Sequence, residues 1–95
     1  ALANVILDLS GRPYSVIQIN WVSSDVAGIP TSLIEHFFES VAVTSKSNLH
    51  LSVLYGKDNH HIAEALFKAF ARALDAATQI DKRRADIVPS SKGKI

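Results

Sequence analysis

The spacing of apolar residues changes period several times along this chain, and each change marks an element. Val5-Ile6-Leu7-Asp8-Leu9 is an apolar run closed by Ser10-Gly11-Arg12-Pro13, which carries turn chemistry. From Tyr14 to Val22 the pattern alternates. Val16, Gln18, Asn20 and Val22 share one side; Ser15, Ile17, Ile19 and Trp21 share the other. Two strands with a short turn between them predict a hairpin. Ser23 to Pro30 reads as a polar loop with Gly28. Thr31 then serves as an N-cap, and Leu33, Ile34, Phe37, Phe38, Val41 and Ala42 recur at helical spacing as far as Lys46-Ser47-Asn48. The core stripe of that helix is read as Leu33, Phe37 and Val41, which leaves His36 at the edge of the buried face. Leu49 to Tyr55 is a third strand, stopped by Gly56.

A second helix is predicted from about Asn59 to Thr78. Ile62, Leu66, Ala69, Phe70, Ala73, Leu74 and Ala77 are expected to form its buried stripe, and His60, Glu64, Lys68 and Arg72 a polar one. Asp81 to Asp86 reads as a charged irregular segment, and Val88 to Ile95 as a tail. The order β-β-α-β-α predicts an α+β sandwich, one sheet with two helices on one face.

Composition narrows the function classes. Ninety-five residues make a single small domain, spanning 1–95, and 47% hydrophobic content is well above that of a disordered chain. The net charge of +1 offers no electrostatic footprint for nucleic acid or a membrane surface. No apolar run approaches the roughly 20 residues of a membrane span. Cysteine is absent, so disulfides are excluded. The chain enters a strand pattern almost directly from Ala1, and is expected to be a processed product, a fragment or an engineered segment.

The candidate chemistry gathers at Asp58-Asn59-His60-His61-Ile62-Ala63-Glu64. His60 and Glu64 are four apart on one helix face, with Lys68 a turn further on. His61 is rotated by about 100° from His60, so the pair serves two ions on neighbouring faces more easily than it chelates one. With His36 on the first helix, these make three imidazoles and a carboxylate, a set suited to Mn, Fe, Ni or Zn. The plainer alternative is a surface histidine pair at a helix start plus one half-buried histidine. His50 alternates away from Leu49 and Leu51 and reads as a solvent-side or interface residue. Trp21 reads as core or interface. Arg12 in its turn, and Ser90, Ser91 and Lys92 before Gly93, are candidates for holding an anion.

Several of these segments together resemble imidazoleglycerol-phosphate dehydratase of histidine biosynthesis. They are Asp8-Leu9-Ser10-Gly11-Arg12-Pro13-Tyr14, His36-Phe37-Phe38-Glu39-Ser40, Gly56-Lys57-Asp58-Asn59-His60-His61, the run from Glu64 to Leu74, and Pro89-Ser90-Ser91-Lys92-Gly93. The resemblance is to the C-terminal half of that enzyme, whose two similar halves have the ribosomal protein S5 domain 2-like fold. It implies a site with two Mn2+ ions whose ligands come from both halves and from neighbouring subunits. His36, His60 and Glu64 would bind one ion, and His61 the second. His60, His61 and Glu64 would thus carry the catalytic role. Lys68 would lie in the substrate pocket, and Arg12, Ser90, Ser91 and Lys92 would hold the substrate phosphate; Ser91 stands where the family often has Thr. The implied reaction removes water from imidazoleglycerol phosphate to give imidazole acetol phosphate.

The resemblance also implies what this chain lacks. The remaining ligands, a phosphate-binding arginine and the general base belong to the N-terminal half, so the chain alone is expected to be inactive. Its implied partners are that half, a small-molecule phosphate substrate and further copies in a large symmetric oligomer, in the cytoplasm, with no nucleic acid or membrane involved. A competing expectation is a non-catalytic assembly module of the same fold, in which the histidine pair is incidental.

Overall fold

Leu49 and Leu51 lie two apart on one strand, are almost wholly buried, and organise the sheet around them. The computed structural model describes the backbone of residues 1–86 and the side chains of residues 1–79. Its elements run β1 (Leu2–Asp8), β2 (Tyr14–Gln18), β3 (Asp25–Val26), β4 (Ile29–Pro30), α1 (Thr31–Ser45), β5 (Asn48–Tyr55) and α2 (Asn59–Asp86). β5 occupies the centre of the main sheet, with β1 antiparallel on one side and β2 parallel on the other. Leu51 sits between Val5 and Ile17 in register, and Leu49 beside Leu7. Strand alternation turns this set toward the helices. Ile34, Phe38 and Ala42 of α1 and Ile62 and Leu66 of α2 close the core over it. The β-β-α-β-α order of the principal elements and the two helices over one sheet face are therefore as the sequence predicts.

The hairpin expected from the first two strands does not form, because β5 inserts between them. Gly11 N donates to Lys46 O at 2.8 Å and Tyr14 N to Ser47 O at 3.1 Å, so the connection after β1 is stitched to the chain entering β5. The central position goes to the strand whose leucines can be buried between two neighbours. β1 also begins earlier than expected, and β2 stops at Gln18. Trp21 leaves the sheet to pack against the core, and its Nε1 donates to Glu35 Oε2 at 2.8 Å. The expected polar loop contains a small ribbon, β3 and β4, joined through Ala27 and Gly28. Both have positive φ, 51° and 87°, the combination a tight two-residue hairpin turn requires.

Three helical expectations also change. Thr31 is the first residue of α1 and Pro30 its N-cap, without a side-chain cap bond. Thr31 N instead donates to Ser24 O at 3.0 Å. The buried stripe of α1 is Ile34, Phe38 and Ala42, one position on from the expected Leu33, Phe37 and Val41. Both stripes are apolar, so periodicity alone does not choose between them. The choice leaves Leu33 56% and Phe37 45% exposed. α2 continues through Asp86, well past Thr78, so the charged 81–86 segment is helical rather than irregular. At the other end of α2, a Cβ on Gly56 would meet Ile62 Cγ1 at 2.6 Å. Only glycine lets β5 turn this closely onto the helix that carries the histidines.

Candidate metal and phosphate site

The first turn of α2 is shaped by Asp58. Its Oδ1 accepts the backbone N–H groups of His60 at 2.7 Å and His61 at 3.1 Å, while Ile62 N makes the first helical bond to Asp58 O. This is N-capping by a short carboxylate, and it fixes the backbone under both imidazoles. The N–H groups of His61 and His60 hold the Asp58 carboxyl below its ordinary range. A carboxyl lowered on folding stabilises the native state above the unfolded value and loses that contribution as pH falls through the folded one. Amide exchange at His60 and His61 is therefore expected to accelerate on acidification below about pH 4, relative to the rest of α2. Asp58→Asn should flatten that dependence.

The two imidazoles diverge from this capped turn. Their ring centroids are 6.0 Å apart with planes inclined at 74°, and both residues are exposed. Among the described residues neither ring takes a hydrogen bond, which leaves their nitrogens available to a ligand on separate sides. Glu64 lies one turn on, with Oε2 3.0 Å from Lys68 Nζ. That hydrogen bond and the Lys68 charge hold the Glu64 carboxyl below its usual range. Glu64 is thus a ready carboxylate donor at neutral pH. An exposed ion pair of this kind contributes little, so it competes weakly with a metal for the same oxygens. The donor chemistry fits a borderline or hard divalent ion.

His36 is placed elsewhere. It stands on α1 with its side chain 71% exposed, 4.0 Å from Glu39 Oε1 and 3.4 Å from Ser40 Oγ. The shift of the α1 stripe has moved it from the edge of the buried face into solvent. Among the described residues no group of three or more potential ligands gathers at one point. One copy of the chain therefore carries His60, His61 and Glu64 on the first turns of α2 without converging them on one point, and sets His36 on the other helix.

Arg12 is set apart as well. It lies in the connection joining β1 and β2, where Asp8 and Tyr14 both pair with Asn48 at the start of β5. The histidines follow the opposite end, where Leu2 pairs with Tyr55. β5 has eight residues and hence seven steps, and at about 3.3 Å each these ends are roughly 23 Å apart. A small substrate cannot span that distance within one copy. His50 is exposed, faces away from the core, and bonds Asn48 Oδ1 at 2.7 Å, as its position in the pattern predicts. Ser90, Ser91 and Lys92 lie outside the described residues. Two contributors escaped the sequence reading. The Asp58 cap carries a recognisable signal, a short acidic residue directly before a helical pattern. The role of its neighbour Asn59 depends on partners more than thirty residues away and leaves no local trace.

The unit is a two-layer α+β fold that presents a divergent, helix-borne histidine pair with a carboxylate one turn on. The comparisons with known proteins place it. A family model described as imidazoleglycerol-phosphate dehydratase matches residues 1–74. The chain is 53% identical over all its 95 residues to an imidazoleglycerol-phosphate dehydratase of Dehalococcoides mccartyi, covering 48% of that protein. It is 55% identical over the same span to one from Chloroflexus aurantiacus, covering 46%. The crystal structure of the Staphylococcus aureus imidazoleglycerol-phosphate dehydratase superposes with a TM-score of 0.73 at 39% identity, covering 76% of this chain and 42% of that one. The chain belongs to the imidazoleglycerol-phosphate dehydratase family. It spans about half the length of these curated relatives. No helix among the described residues is long and apolar enough to cross a membrane.

Proposed function

We propose that this chain supplies one half of the active site of an imidazoleglycerol-phosphate dehydratase, a lyase of histidine biosynthesis. In that role it takes part in the dehydration of imidazoleglycerol phosphate to imidazole acetol phosphate. The observation that carries the reading is the pair of open, divergent imidazoles on one capped helical turn. Mn2+, two ions per site, is the proposed cofactor. His60 and Glu64, with His36 from another copy, would hold one ion, and His61 would hold the other. When bound, the ions supply Lewis-acid stabilisation of the substrate's ring as it loses a proton.

The chain's own residues then divide the remaining work. Lys68, held on the same α2 face by Glu64, offers a cation to the substrate chain. Arg12 forks onto the phosphate. The separation along β5 supports drawing its partners in that task from a neighbouring copy. Ser90, Ser91 and Lys92 are proposed to complete the phosphate clamp, which orients the substrate for loss of its hydroxyl. The general base is proposed to come from the complementary half.

Assembly is part of this reading. Leu33, Phe37, Phe67 and Leu74 on the helices, and Ile6, Tyr14 and Leu54 on the strands, remain substantially exposed. That much apolar surface is consistent with burial against the complementary N-terminal half and against further copies in a large symmetric oligomer. A cytoplasmic location goes with the same reading. The test is complementation. Alone, the chain should show no dehydratase activity; mixed with an N-terminal half from a relative, it should gain Mn2+-dependent activity. A stable complex that remains inactive with Mn2+ and substrate in excess would count against the proposal.

A further inference from the structure

Asn59 is only 8% exposed, at the seam between α2 and the segment leading into β3. Its Oδ1 accepts from Val22 N at 2.8 Å. Its two Nδ2 hydrogens are shared among three acceptors, Ser23 O at 3.1 Å, Ser23 Oγ at 2.9 Å and Asp25 O at 2.9 Å. A backbone N–H only donates and a carbonyl only accepts, so these partners fix which way round the amide sits. No other side chain of this length offers both functions. Aspartate would set a carboxylate oxygen against two carbonyls, and glutamine would be one methylene too long for a packed seam.

The segment Asn59 grips is itself anchored to α1. Trp21 Nε1 bonds Glu35 and Ser24 O accepts from Thr31 N. The same segment and His60 line an open groove with Lys57 and Asp58. Asn59 thus ties the turn bearing the histidine pair to a framework fixed on the other helix. Asp58 shapes that turn internally but, among the described residues, makes no comparable link across the fold.

We propose that Asn59 is a positioning residue, setting the placement of the α2 turn that presents His60 and His61. It acts through those histidines and touches no ligand itself. The inference rests on the metal-site reading above. Asn59→Asp is the decisive variant because it preserves shape and reverses one half of the hydrogen-bonding pattern. In the metal-free chain, imidazole NMR signals of His60 and His61 should move while those of His36 and His50 stay in place. In the chain assembled with its complementary half, Mn2+ should bind about 10- to 100-fold more weakly, the usual effect of losing an outer-shell support. A folded Asn59→Asp protein with unmoved His60 and His61 signals and unchanged Mn2+ affinity overturns the proposal. Should that variant fail to fold, Ser23→Ala removes one of the four contacts from the exposed side. It should move the same two signals by less, and no movement overturns the proposal equally. If the wild-type assembly takes up no Mn2+ while the signals still move, the metal reading fails and the positioning role stands.

Discussion

Phe38→Ala is expected to destabilise the chain by about 3–5 kcal/mol, the usual cost of removing a buried aromatic ring. Phe38 has no solvent exposure and stands within 5.0–5.4 Å of the rings of Phe37, Phe67 and Phe70, measured between centroids. It joins α1 to α2 above the leucines of β5, so no neighbour can fill the space without moving a helix. A domain of this size has a net stability on the order of 5–15 kcal/mol, so one substitution removes a large part of it. Phe37→Ala is the internal control. Nearly half of that side chain is already in water, so its loss should cost the isolated chain much less. Urea unfolding midpoints measure both. Equal losses, or a larger loss for Phe37, would mean that α1 is rotated by one position from its placement in this structure.

That contrast marks where the sequence was legible. The three strands of the main sheet, both helices and their order follow from periodicity, because Leu49 and Leu51 alternate and Ile62 and Leu66 recur at helical spacing. Sheet order does not follow. Local turn chemistry at Ser10-Gly11-Arg12-Pro13 favours a hairpin, but the partner that displaces it, β5, lies more than thirty residues away. The rotation of α1 was equally hidden, since Leu33/Phe37 and Ile34/Phe38 are interchangeable by hydrophobicity. His36 moved into solvent with that rotation. The histidine pair and Glu64 were legible because helix geometry fixes their relative directions. The remoteness of Arg12 from them emerged only once β5 stood between the two ends.

His60→Ala and His61→Ala are each expected to abolish dehydratase activity of the complemented protein. The loss should lie well beyond the ~100-fold that a misplacement of about 1 Å can cost, because each substitution removes a proposed ligand rather than displacing it. Both residues are exposed, so the fold should survive each substitution with little change in thermal midpoint. That separation is diagnostic. Phe38→Ala removes stability first and activity only through it, whereas the histidine variants remove activity from an intact fold. Retained activity in either histidine variant would favour the reading of this chain as an assembly module.

Manganese content of the assembled protein is the most direct measurement, taken by emission spectroscopy after dialysis on the wild type and on each histidine variant. About two ions per site are expected in the wild type, as in two-metal chemistry generally. Each single alanine variant should lose at least one of them. Full manganese content with both imidazoles removed would contradict the role assigned to the start of α2.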